Sequence, residues 1–238
     1  MQYKPFQDQR DLLAFFSSKT EGNLAFHVDD TFLDVEKRHV QLATKYAYQK
    51  DKLVFMKQVH SKNVYHVSTS DNFSTVPEAD ALITNEKNIP LMVIMADCCG
   101  ILFYDPTHKA IGVAHAGRAG AFLNIVQNLI TQMQKKFATQ AQDLCVALSA
   151  DIHACCYEVG EEIVKEAESL ELSFAITQKE GRYYLDINAI LLRQLQKAGV
   201  QTQNIEICPF CTSCSRDTYF SYRAEGKTGR FAGVLMLR

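Results

Sequence analysis

Six short apolar runs, LVFMK, NVYHV, DALIT, LMVIM, ILFY and AIGVA, follow one another between residues 53 and 114, each closed by turn residues. Runs of this length and punctuation read as buried strands. Helical periodicity flanks them. In TFLDVEKRHVQLATKYAYQK, Thr31 followed by Asp34 caps a helix whose apolar face carries Val35, Leu42 and Tyr46. The segment AGAFLNIVQNLITQMQKKF predicts a second helix, because Phe122, Ile125, Leu129, Ile130 and Met133 recur at helical spacing. A helix after Gly160, another from Asp186 to near Gly199, and strands around 144–148, 205–207 and 231–237 complete the pattern. Strands and helices mix without regular βαβ alternation. The expected class is therefore α+β, a single layered domain over residues 1–238 with mixed β-sheets flanked by helices.

The charge balance narrows the partners. With 25 Lys+Arg against 27 Asp+Glu, no basic excess exists to neutralise a nucleic-acid backbone or an anionic membrane, so a small-molecule role is expected. MQYKPFQDQRDLL carries charges where a signal peptide needs its apolar core, and no apolar run approaches the ~20 residues of a bilayer span. A cytoplasmic location is expected, and the oligomeric state is left open. Eight cysteines in such a chain read as reduced thiols, some of them ligands, rather than as a disulfide framework.

Three local features put ligand-capable side chains at strand ends: Gln58-Val59-His60, Ala96-Asp97-Cys98 after LMVIM, and His115-Ala116-Gly117 after AIGVA. Strand ends held by a rigid sheet allow distant residues to converge. His60, Cys98 and His115 together offer two imidazoles and a thiolate, which suits a Zn²⁺ ion with one open position. On the residues alone, a buried cysteine and two hydrogen-bonded histidines are the commoner meaning of such a trio.

The ordered runs KQVHSKNVYHV, ADALIT, LMVIMADCCGILFYDP, AIGVAHAGRAG, CCYEVGEEI, CT and FSYRAEGKTGRFAGVLML, with Asn23-Leu24 near the start, resemble the motifs of the YfiH-like family. Its members are called laccase-domain proteins, polyphenol oxidases or purine nucleoside phosphorylases. The resemblance covers nearly the whole chain and implies a four-layer α/β/β/α sandwich. It also implies zinc on His60, Cys98 and His115, the catalytic residues, with purine nucleoside and phosphate as substrates. The implied reactions are phosphorolysis of adenosine, inosine or methylthioadenosine, and deamination of adenosine.

Phosphorolysis needs an anion site. The turn after His115, with Gly117, Arg118 and Gly120 leading into a helix, is the expected one, and Arg223 in FSYRAEG is a further anion-facing candidate. Two departures from the family stand here. The usual His-Ala-Gly-Trp-Arg-Gly reads His-Ala-Gly-Arg-Ala-Gly, so Arg118 sits one position early and points about 100° away. Ile152-His153-Ala154 replaces Ile-Gly-Pro. Glu158 is a candidate acid or base, or else a solvated carboxylate; Asp80 and Asp97 are candidate partners orienting the imidazoles. Cys208, Cys211 and Cys214 fall one thiolate short of a four-cysteine centre, so no second metal is expected. Of the adjacent Cys155 and Cys156, one is expected buried and one outward, while Cys99 is expected to pack.

The leading expectation is a zinc-dependent purine nucleoside phosphorylase and adenosine deaminase. Three others compete. A copper polyphenol oxidase, or laccase, would use the same His₂Cys set. A peptidoglycan-editing amidase would use Cys98 as nucleophile with His115 or His60 as base. A metal-binding relative without turnover is the fourth.

Overall fold

In the computed structural model, which describes residues 4–7 and 9–238, all six apolar runs are strands, but they divide between two sheets. The larger sheet contains β3 (Val64–His66), β4 (Ala81–Thr84), β6 (Cys99–Asp105), β7 (Ala110–Ala116), β8 (Cys145–Leu148) and β12 (Ile205–Ile207). Its order is β12-β8-β6-β7-β4-β3. The second sheet, ordered β1-β13-β5-β2, joins β1 (Leu12–Phe16), β2 (Val54–Phe55), β5 (Leu91–Met95) and β13 (Phe231–Leu237). A small third sheet holds β9 (Glu158–Val159), β10 (Ile176–Lys179) and β11 (Arg182–Leu185).

The two main sheets pack face to face. Val54, Leu91, Val93 and Leu235 from one meet Leu82, Leu102, Ile111 and Val113 from the other. Each outer face is covered by helices. Ile101, Phe103, Val146 and Leu148 pack on α3 (Ile125–Phe137) and α5 (Ile187–Lys197) through Leu129, Met133, Ile190 and Leu191. On the opposite side α1 (Phe32–Tyr46) sets Leu42 and Ala43 against Met92 and Val234. The layering is α/β/β/α, a mixed α+β architecture as expected, and the apolar runs lack strict alternation because both faces of each sheet are buried.

Thr31 caps α1 through Asp34 N–H, and Asp186 caps α5 through Ala189 N–H. Gly160 precedes α4 (Glu161–Ser169). The segment expected as one second helix is two pieces, α2 (Arg118–Phe122) and α3. Asn124 breaks it: its backbone is left-handed at φ 57, and its side chain accepts from Gln127 N–H to start α3 afresh. Among the described residues no helix is long and apolar enough to cross a membrane.

His39 of α1 is 1% exposed, and its Nε2 bonds the Leu24 carbonyl at 2.9 Å. Burial drives its pKa from 6.5 down to about 4. The folded chain therefore keeps it neutral while the unfolded chain protonates it. Stability is complete above pH 6.5 and falls as pH drops toward 4, by up to about 3 kcal/mol from this group. Urea melts at pH 7 and pH 4.5 should show a smaller pH-dependent loss in His39→Gln than in the wild type; equal losses would exclude this source.

Candidate metal centre

Strand register builds the site. Pairing of β6 with β7 sets Cys99 against Ala116, so Cys98 arrives beside Gly117. Pairing of β4 with β7 sets Ala81 against Ala114, so Asp80 arrives beside His115. One end of the sheet thus presents Asp80, Cys98 and His115 together. His60 comes from the loop after β2, in a left-handed backbone at φ 58, and Asp97 is held at φ 87 beside the thiol. Such non-glycine conformations persist only where surroundings over-determine them.

The surroundings are visible. The Asp80 carboxylate, fully buried, accepts from Val59 N–H (3.2 Å), His60 N–H (3.0 Å), Ser61 N–H (2.6 Å), Ser61 Oγ (2.8 Å) and His115 Nδ1 (2.9 Å). It folds the His60 loop and fixes the His115 ring in one act, leaving His115 Nε2 to face the Cys98 thiol. Ligand atoms of His60, Cys98 and His115 all lie within 4.8 Å of one another. A Cβ added at Gly117 would stand 2.6 Å from Cys98 Sγ, so glycine is required for this approach of backbone to thiol.

Burial pushes the Cys98 thiol up, but the His115 and His60 imidazoles outweigh it and bring it to about 6. Burial pushes His115 down, yet Cys98 and Asp80 carry it up to about 9. Asp80 is raised by burial but held at about 2 by its hydrogen bonds from His115 and Ser61. Two nitrogens and a thiolate around one point that favours positive charge form a donor set fitting a zinc ion.

The trio opens into a cavity of about 510 Å³, within the range of small-molecule sites. Its wall includes His27, Tyr157, Arg118, Arg223 and Arg230. Arg118 is tied to Glu166 of α4 at 2.5 Å and lies over the Phe122 ring. Arg223 donates to the Glu158 carbonyl at 2.8 Å and lies over the Tyr157 ring. Arg230 was not singled out from the sequence. Its guanidinium donates only to the Thr228 and Gly229 carbonyls, and no carboxylate pairs with it among the described residues. An arginine abutting a fully buried strand, as Arg230 abuts β13, was the available signal.

Other expectations shift. Gly120 does not line the cavity; a Cβ there would stand 3.1 Å from the His115 carbonyl, so its role is close packing. Asp97 orients no imidazole: it accepts from Thr212 Oγ1 and Arg223 N–H, both at 2.6 Å. Glu158 is exposed and pairs with Arg182. Cys99 is buried as expected, whereas Cys155 and Cys156 do not divide between core and surface; both thiols gather with Cys214.

The profile of the family described as multi-copper polyphenol oxidoreductase laccase matches residues 16–238. A purine nucleoside phosphorylase of Corynebacterium glutamicum is 38% identical over 217 residues, covering 90% of this chain and 86% of its own. The purine nucleoside phosphorylase YlmD of Bacillus subtilis is 26% identical, covering 98% and 91%. The crystal structure of YlmD from Geobacillus stearothermophilus superposes with a TM-score of 0.92 at 29% identity, covering 99% and 94%. That of the Bacillus licheniformis protein YfiH gives 0.91 at 28%, covering 95% and 93%. With the family profile matched over residues 16–238 and a relative 38% identical, the chain belongs to the multi-copper polyphenol oxidoreductase laccase family.

Proposed function

We propose that the chain is a zinc-dependent purine nucleoside phosphorylase, acting on adenosine, inosine or methylthioadenosine, that also deaminates adenosine. The observation carrying this reading is the meeting of His60, Cys98 and His115 in the lining of a cavity that Arg118, Arg223 and Arg230 also line. The names of the relatives support the same reaction class.

In phosphorolysis a phosphate oxygen bonds the anomeric carbon as the glycosidic C–N bond breaks, and the electron pair leaves on the purine nitrogen, which takes a proton. Free base and pentose 1-phosphate result. Arg230, with Arg223 and Arg118 beside it, holds the phosphate by charge-assisted hydrogen bonds. Tyr157 offers a ring for the base to stack on. Asp80 keeps the His115 imidazole in one tautomer and orientation. Zinc on His60, Cys98 and His115 would supply a Lewis acid and a water ionising near pH ~7.

The family's copper name does not change this reading. His27 is the one further imidazole lining the cavity among the described residues, whereas multicopper chemistry needs many clustered ones. A second reading has an observation in its favour: a thiol at about 6 flanked by two imidazoles is also an activated nucleophile, as an amidase would use.

Adenosine incubated with the zinc-loaded protein should release adenine only when phosphate is present, in equal amount with pentose 1-phosphate, and a chelator should stop it. Amide cleavage that survives the chelator would establish the thiol enzyme instead. Absence of all turnover with zinc bound would leave a metal-binding protein alone.

A further inference from the structure

We propose that Cys155, Cys156, Cys211 and Cys214 form a second metal site, a closed four-thiolate centre for Zn²⁺ that clips together two loops behind the cavity. It is independent of the reading above.

The three cysteines of the 208–214 run are one short of a centre only when counted along the chain. In the fold Cys208 stays in the core, and the adjacent pair Cys155-Cys156 joins Cys211 and Cys214. The four sulfurs all lie within 4.8 Å of one another. Cys155 Sγ stands 3.8 Å from Cys156 Sγ and 3.7 Å from Cys214 Sγ, and Cys156 Sγ stands 3.4 Å from Cys214 Sγ. Thiolates placed ~2.3 Å from a tetrahedral zinc are separated by ~3.8 Å, close to these three separations. Disulfide formation would instead draw one pair to ~2.05 Å and leave the others apart. An iron–sulfide cluster, being larger, would spread its thiolates more widely.

The backbone around the sulfurs is arranged in keeping with this. His153 N–H donates to Cys211 Sγ at 3.4 Å, the kind of outer contact that steadies a metal-bound thiolate. Ser215 N–H turns back to the Cys211 carbonyl at 2.9 Å, closing the C-x-x-C turn. Thr212 N–H donates to the Asp151 carbonyl at 2.9 Å, which ties the two loops side by side. Cys155 and Cys214 are exposed, so an ion reaches the site directly from solvent.

The position of the clip gives it a purpose. Tyr157 directly follows Cys156 and lines the cavity. Thr212 directly follows Cys211 and donates to Asp97, the neighbour of Cys98. An ion across the four sulfurs therefore pins both loops that hold the cavity wall, loops otherwise made of turns rather than regular structure.

Zinc analysis of the desalted full chain, grown with zinc, should show one ion per chain that is lost in Cys156→Ser/Cys214→Ser and kept in Cys98→Ala, whatever the His60, Cys98 and His115 site holds. Cobalt substitution should give an intense thiolate-to-metal band that falls mostly with the Cys156→Ser/Cys214→Ser change. A folded Cys156→Ser/Cys214→Ser variant that keeps every zinc of the wild type would overturn the assignment. So would iron with acid-labile sulfide, or a mass short by two hydrogens from a disulfide among the four. If the variant does not fold, the wild type decides: with zinc bound, Cys155 and Cys214 should resist alkylation despite their exposure and react after chelation. Equal alkylation before and after chelation would equally overturn it.

Discussion

Asp80→Asn is expected to weaken zinc binding by the His60, Cys98 and His115 site about 10–100-fold and to destabilise the fold by about 3 kcal/mol or more. Asparagine keeps the shape but replaces one acceptor oxygen by a donor amide. Asp80 is fully buried, and its carboxylate gathers the backbone N–H groups of Val59, His60 and Ser61 as well as His115 Nδ1. At least one of those donors then faces another donor with no water to relieve it. The His60 loop loses the anchor for its left-handed residue, and the His115 ring loses the partner that fixes its tautomer. Because the carboxyl is held at about 2, below its ordinary 3.8, its contribution is present above pH 3.8 and is lost as pH falls through about 2. Chelator competition and urea melts at pH 7 measure both effects. Wild-type zinc affinity in Asp80→Asn would show that the imidazoles are placed by something else.

The strands of this fold were readable because burial on both faces leaves uninterrupted apolar runs, and the convergence of His60, Cys98 and His115 because each stands at or just beyond the end of such a run. The elements that escaped lack those marks. The hairpin of β10 and β11 turns at Glu180-Gly181, both at positive φ, where Asn-Gly or Asp-Gly would have advertised the turn. The break between α2 and α3 rests on one asparagine inside an otherwise continuous helical pattern. Asp97 looked like a partner for an imidazole because it adjoins Cys98, but its backbone at φ 87 turns the carboxylate toward Thr212 and Arg223. The gathering of Cys155 and Cys156 with Cys211 and Cys214 depends on loops more than fifty residues apart, which spacing along the chain does not reveal.

Cys98→Ala is expected to reduce phosphate-dependent adenosine turnover more than about 100-fold, because loss of an outer partner of a ligand already costs about 10–100-fold and this change removes a ligand outright. It leaves two imidazoles, without the negative charge that favours a cation between them. The change removes only the Cys98 thiol from the cavity lining and leaves the inter-sheet core untouched, so the variant should stay folded. Three outcomes separate the competing chemistries. Loss of turnover together with one zinc supports the phosphorylase. Loss of turnover in a protein whose wild type works equally well under chelation supports the thiol hydrolase. Copper with an intense visible absorbance that vanishes in the variant supports the oxidase.

The most direct test is an anomalous difference map at the zinc edge from crystals of the zinc-loaded protein. It should show a peak within bonding distance of a His60 ring nitrogen, Cys98 Sγ and His115 Nε2, with the fourth position held by water or substrate. No peak between those three residues, or a fourth protein side chain closing the site, would contradict a catalytic zinc there.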